Sequence, residues 1–183
     1  MSSKWLYGNG GHAKVILQHW KADYIVDDAD PKRQWSYAVP LTYRYGLIGV
    51  GDNRTRKAIA DRIEKDEPMY GILDAPEHET AVCDVGTVIM RGAIIQPGSW
   101  IRMHSIINTG ATIDHDCEIA DFVHIAPGCH LCGNVTVGEG TLVGAGTIVT
   151  PGVRIGSWLT IPAGSVVTRD CLNEDDVANL RRR

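Results

Sequence analysis

The stretch "NTGATIDHDCEIADFVHIAPG", residues 108–128, carries Ile113, Ile119 and Ile125 at six-residue intervals. Continued in both directions, the same count meets Ile, Leu or Val at fourteen successive steps, from Ile89 through Ile101 and Ile107, past Leu131 and Val143, to Ile161 and Val167. A repeat of that period is the mark of a hexapeptide β-helix: each hexad supplies a short strand and a turn, and three hexads close one coil. The aliphatic side chain then points to the axis. Two positions before it the residue is mostly small, as at Ala93, Ser99, Ser105, Ala111, Cys117, Cys129, Thr141, Thr147 and Ser165, which suits a tight corner facing the interior. Gly138, Gly144 and Gly156 follow the aliphatic position, and there they are expected to let the backbone turn sharply.

Residues 1–75 lack this period. "KWLYG", "DYIVDD", "YGLIGVGDN" and "PMYGIL" read as short strands, and "HAKVILQHW" and "RTRKAIADRIEKD" as helices. Val15, Ile16 and Trp20 are available for packing on the first helix, and Ala58, Ile59 and Ile63 form an apolar stripe on the second, capped by Asp52 or Asn53. Strand, helix, strand, strand, helix, strand means a small parallel α/β domain, a Rossmann-like half. The predicted organisation is thus an α/β domain over 1–75 and an all-β parallel β-helix over 76–183 with a short C-terminal tail.

Composition limits the function classes. Hydrophobic residues at 44% and charged residues at 22% are globular values. A net charge of −4 supplies no field for nucleic acid, and the one basic cluster is Arg181, Arg182 and Arg183. No apolar run is long enough to span a membrane, and no signal peptide is recognisable, so a cytoplasmic location without membrane or nucleic-acid partners is expected. The five cysteines are expected to be reduced thiols. Cys129 and Cys132 form one C-x-x-C, but no second pair follows, and the positions of Cys117, Cys129 and Cys132 in the hexad explain them without a metal.

Gly8-Asn9-Gly10-Gly11-His12-Ala13 follows a strand and opens a helix. Glycines there admit a phosphate to the backbone, where free N–H groups and the helix dipole favour negative charge. The spacing meets the dinucleotide fingerprint, with Asp27 and Asp28 about twenty residues on to receive a ribose or base. A domain of this size offers only one mononucleotide half, so a nucleotide diphosphate joined to a sugar is expected rather than a nicotinamide cofactor.

"YGNGGHAKV", "GVGDNRTRKAI", "VIMRGAIIQPG", the 108–128 stretch, "GNVTVGEGTLVGAGTIV" and "AGSVVTRD" occur in the order of the sialic-acid O-acyltransferase-like family of left-handed β-helix acetyltransferases, which this chain resembles over nearly its whole length. The family includes N-acetyltransferases acting on nucleotide-linked 4-amino-sugars. The resemblance implies acetyl-CoA as cosubstrate, a nucleotide-linked amino sugar as acceptor, no metal, and a homotrimer with active sites between neighbouring helices. It implies His115 as general base with Asp116 in support. Asn108 and His124 correspond to the acetyl end of the coenzyme A site, Gly133, Gly144 and Ala145 to backbone contacts with coenzyme A, and Gly10, Gly11, His12, Asp27, Asp28 and Gly51 to nucleotide-sugar contacts. The chain runs "RDCLNEDDVANLRRR" where the family has a Gly-x-Pro-Ala segment, which leaves the adenine end unassigned.

Acetyl transfer from a thioester to an amine needs the amine unprotonated at attack. An imidazole of ordinary pKa near about 6.5 accepts that proton at neutral pH, and a neighbouring carboxylate holds the productive tautomer. Three other readings compete: O-acetylation of a sugar such as sialic acid, a zinc enzyme of the γ-carbonic-anhydrase kind with histidine ligands between subunits, and a nucleotide-sugar-binding protein without catalysis.

Overall fold

The computed structural model describes residues 4–19, 21–26, 29, 45–63 and 81–182. Asp27, Asp28, Trp20, the "PMYGIL" strand and the boundary expected near residue 75 lie outside them.

Strands β1 (Lys4–Tyr7), β2 (Tyr24–Val26) and β3 (Tyr45–Ile48) form a parallel sheet of order β2-β1-β3, with helix α1 (Gly11–His19) after β1 and helix α2 (Asn53–Ile63) after β3. Alternation along β1 sorts the core. Trp5 and Tyr7 pack with Ile48 and the α2 residues Ile59, Ala60 and Ile63, whereas Leu6 packs with Leu47 and the α1 residues Ala13 and Ile16. Both apolar clusters continue into the second domain, the first through Phe122 and the second through Val88, Met90 and Ile106. The stripe expected on α2 is corrected: Ala58 is exposed, and the buried face is Asn53, Arg56, Ile59, Ala60 and Ile63. Asp52, not Asn53, is the cap, its Oδ1 accepting the Thr55 N–H at 2.8 Å.

The second domain is the expected three-sided parallel β-helix. One face holds β5 (Val88–Ile89), β8 (Ile106–Ile107), β11 (His124–Ile125), β14 (Leu142–Val143) and β17 (Thr160–Ile161). The next holds β6 (Ile94–Ile95), β9 (Thr112–Ile113), β12 (His130–Leu131), β15 (Ile148–Val149) and β18 (Ser165–Val167), to which β19 (Arg181–Arg182) adds antiparallel. The third holds β4 (Val82–Cys83), β7 (Trp100–Ile101), β10 (Glu118–Ile119), β13 (Thr136–Val137) and β16 (Arg154–Ile155). Register partners stand one coil apart, as Trp100, Glu118 and Thr136 do. Every lattice aliphatic is buried. The small residues two positions earlier are buried too, and the polar ones are satisfied there: Ser99 Oγ donates to Asp114 O at 2.7 Å and accepts the Cys117 N–H at 3.2 Å, and Ser105 and Thr141 repeat the pattern. Cys117 and Cys129 take the same role, their thiols aimed at Cys132 O (3.2 Å) and Gly144 O (3.1 Å).

The turning residue is not the one expected. Left-handed φ falls three positions before each aliphatic residue, at glycines such as Gly110, Gly128, Gly146 and Gly152 and at five other residues, His104, Asp116, Phe122, Asn134 and Trp158. Gly138, Gly144 and Gly156 answer a different need: a Cβ there would stand 2.5–2.6 Å from backbone of Ser157, Ala163 and Leu172, in the segment wound next to each. The three edges of the prism therefore differ. Residues 92, 110, 128, 146 and 164 make an edge of glycine alone; residues 86, 104, 122, 140 and 158 make one carrying His104, Phe122 and Trp158; residues 98, 116, 134 and 152 make the third. Helix α2 lies on the second, with Arg54 over Trp158 (4.8 Å), Lys57 over Phe122 (4.9 Å) and Asn53 Nδ2 donating to Gly140 O (3.0 Å).

Candidate active site

His115 and Asp116 occupy the turn between β9 and β10. Left-handed backbone at Asp116 (φ 58°) brings two adjacent side chains to one side of the chain, which a flat strand would not do. His115 Nδ1–H donates to Asp116 Oδ2 at 2.8 Å, and the His115 N–H donates to Asp114 Oδ1 at 2.8 Å. The Asp116 hydrogen bond, followed by the charges of Asp114 and Asp116, raises the imidazole pKa. With its proton committed to Asp116, the neutral ring keeps a lone pair on Nε2, and its side chain is 55% exposed. Glycines leave room on either side: a Cβ at Gly133 would stand 2.6 Å from His115 Nε2, and one at Gly98 would stand 2.3 Å from Asp116 Oδ1.

His124 lies elsewhere. It projects from β11 on the face that receives the N-terminal domain, where its Nδ1 meets Gly51 O at 3.3 Å and its Nε2 meets Asn108 Nδ2 at 3.0 Å. The His12 ring stands edge-on to it at 5.4 Å. Burial, then the positive charge of Arg56, pulls His12 down to about 4; burial, then His12 and Arg56, pulls His124 down to about 3. Both are neutral at physiological pH. His12 Nε2 is buried without a hydrogen-bond partner among the described residues. Gly10 and Gly11 face open space, since no atom comes within 4 Å of a Cβ built on either, whereas a Cβ built on Gly51 would stand 3.5 Å from His12 Nδ1.

Asn108, Gly144 and Ala145 run along the glycine edge. No atom lies within 4 Å of a Cβ built at Gly110, Gly128, Gly146 or Gly164, so a ligand can approach that backbone closely. The chain passes from the β11 face over the glycine edge to the β9 face, then over the His115 edge to the β10 face. The edge bearing His115, Asp116 and Gly133 is accordingly opposite the face bearing His124. A single chain brings Asn108, His124, His12 and Gly51 together, and separately His115, Asp116 and Gly133, but does not join the two groups. Among the described residues no group of three or more His, Cys, Asp or Glu side chains is placed to hold a metal ion.

Residues 116–151 and 134–169 match the bacterial transferase hexapeptide (six repeats) family. PerB from Caulobacter crescentus, solved with CoA and GDP-perosamine, is similar at 30% identity and a TM-score of 0.86, over 94% of this chain and 92% of that one. The acetyltransferase domain of PglB from Neisseria gonorrhoeae FA1090, solved with acetyl coenzyme A, is similar at 29% identity and a TM-score of 0.84, over 94% of both chains. WeeI from Acinetobacter baumannii AYE shares the fold, at 17% identity and a TM-score of 0.71 over 99% of each chain. No curated protein sequence matches. The chain belongs to the left-handed β-helix acetyltransferases of nucleotide-linked sugars.

In this acetyltransferase the sequence reading missed Arg56 and His104 near the site and took Asn53 only for a helix cap. Arg56 and Asn53 are buried polar residues of α2, and His104 is a buried turn residue stacked on Phe122 at 5.1 Å. An apolar stripe on the helix counts neither Asn53 nor Arg56, since both are polar. The usable signal for His104 was its place in the turn phase of the repeat, where glycine prevails. No helix among the described residues is long and apolar enough to cross a membrane.

Proposed function

We propose that this enzyme transfers the acetyl group of acetyl-CoA to the 4-amino group of a nucleotide-linked amino sugar, with His115 as general base. The observation that carries the reading is the His115–Asp116 pair: Nδ1–H is tied to a carboxylate, which leaves the Nε2 lone pair, and the side chain is 55% exposed on the edge opposite the His124 face. The amine nitrogen attacks the thioester carbonyl carbon, and its proton passes to His115 Nε2 as the C–N bond forms. The C–S bond then breaks, and the imidazolium returns the proton to the departing thiolate. Asp116 holds the tautomer and offsets the imidazolium charge.

The glycine edge beside Asn108 and Ala145 suits a narrow, linear thioester arm, since backbone there is bare. Loop 8–12, with Gly10 and Gly11 open and the unpartnered Nε2 of His12, suits the phosphates and sugar of the acceptor. Two protomers are required, because His115 and His124 stand on opposite sides of one prism; a closed trimer is the natural symmetric solution for three-sided helices. The protein relatives bound to CoA, acetyl coenzyme A and GDP-perosamine support this substrate pair.

The test is acetyl-CoA consumption with UDP-, dTDP- and GDP-linked 4-amino-sugars and, as the competing arm, free sialic acid. Amide formation on one of the nucleotide sugars is expected. Turnover of sialic acid alone, with ester formation, would replace this reading by O-acetylation.

A further inference from the structure

A full positive charge lies buried where the two domains meet. Arg56 is 1% exposed. Its Nε donates to His104 O at 2.8 Å, Nη1 to Val50 O at 3.0 Å and Gly51 O at 3.1 Å, and Nη2 to Asn53 Oδ1 at 2.8 Å and Phe122 O at 2.7 Å. Carbonyl and amide oxygens from loop 50–53 and from one edge of the prism thus satisfy the fork, with no carboxylate among these partners. Burial lowers its pKa only to about 9, so the charge persists at neutral pH. Holding two domains together does not require a buried cation, since an apolar side chain of similar volume does so without the desolvation cost.

The Gly51 carbonyl has a second donor. It also receives His124 Nδ1–H at 3.3 Å, and on the far side of that ring Asn108 Nδ2 lies 3.0 Å from Nε2. A carbonyl can only accept, so the network places the proton on Nδ1 and leaves the Nε2 lone pair to take an Asn108 N–H. Asn108 Oδ1 is itself held by the Thr109 N–H at 2.7 Å. The direction of the amide is therefore set at both ends, with its second N–H free of these bonds.

We propose that Arg56 is a positioning residue: by clamping the Gly51 carbonyl it fixes His124 in the Nδ1-protonated form and so sets the orientation of Asn108, making the nucleotide-side loop and the acetyl side of the site one hydrogen-bonded unit. This rests on the reading that Asn108 and His124 line the acetyl side. The groups acting on the His124 ring are His12 from α1 and Arg56 from α2, both of which disfavour its cationic form, while Gly51 O favours the N–H facing it. The neutral tautomer is thereby held.

Nitrogen-resolved NMR of the full-length protein labelled at histidine, without substrate, reads the tautomer directly. In the wild type His124 is expected to carry its proton on Nδ1 and to stay neutral from about pH 8 to about pH 5, below the ordinary histidine value. In Arg56→Met, and in Arg56→Lys, which retains charge but not the planar fork, the Nδ1–H form is expected to give way to mixed tautomers. kcat/KM for acetyl-CoA should drop by about 10²-fold, most of it in kcat, as for other misplacements of groups at a reacting centre. An Nε2-protonated His124 in the wild type would overturn the proposal, as would an unchanged tautomer in both folded variants. Should neither variant fold, the wild-type tautomer decides alone. A correct wild-type tautomer in a protein that acetylates no nucleotide sugar would refute the proposed function while leaving this assignment in place.

Discussion

At the scale of single residues, the enzyme separates its histidines by environment. His115 is exposed beside two carboxylates, which raise its pKa, whereas His12 and His124 are buried beside a guanidinium, which lowers theirs. Of these three, His115 alone is exposed and has its pKa raised. His115→Ala is expected to lower kcat by about 10²- to 10⁴-fold, the scale of a general base, with the melting temperature unchanged, as steady-state assays and thermal melts will check. A base works in its neutral form, so kcat/KM falls on the acid side; Asp116→Asn replaces the carboxylate whose charge-assisted bond raises the His115 pKa and should move that acid limb to lower pH. Stability follows the opposite sign at the buried pair. Their folded values lie below the unfolded value of about 6.5, so the unfolded chain takes up protons first, and stability declines as pH falls from there toward about 4 and 3. Thermal melts near about pH 7.5 and about pH 5 should show a drop on acidification, and His12→Gln should reduce it.

At the scale of elements, the repeat is built from a turn that wants a left-handed residue, and departures from glycine mark where the turn does something else. His104, Phe122 and Trp158 share the edge under α2, and Asp116 partners His115. Gly152 has φ 72° and nothing within 4 Å of a built Cβ, so Gly152→Ala meets no clash yet should still cost about 1–2 kcal/mol through backbone strain alone, measurable by urea unfolding. The sequence reading placed the turning glycine after the aliphatic residue because Gly138, Gly144 and Gly156 stand out there. Their true constraint is the backbone of the segment wound next to them, at Ser157, Ala163 and Leu172, a contact distant in sequence that no local pattern displays. Helix α2 was legible as a helix, but its buried face was misjudged at Ala58, since Asn53 and Arg56 are polar and a stripe search counts only apolar residues.

At the scale of the whole molecule, a three-sided prism puts the His115–Asp116 pair on one edge and His124 with Asn108 on the opposite side, so the proposed site is completed only by association. Light scattering is expected to give three chains of 20.0 kDa each, with activity falling on dilution below the association range. A thermal-shift panel of UDP, dTDP and GDP should single out one nucleotide, adding about 2.7 kcal/mol at a hundredfold excess over Kd. The β-helix was legible from the period of six because each coil repeats the same local demand: an inward aliphatic residue, a small corner and a turn. The His115–Asp116 pair was legible for the same reason, being two neighbours in one turn. By itself, then, the sequence determined the coil, its register and the dyad. The tertiary structure alone decided the docking of the α/β domain, the neutral His12–His124 pair and the Arg56 contacts, because those groups come from residues far apart in the chain and most of their partners are carbonyls, which every residue carries.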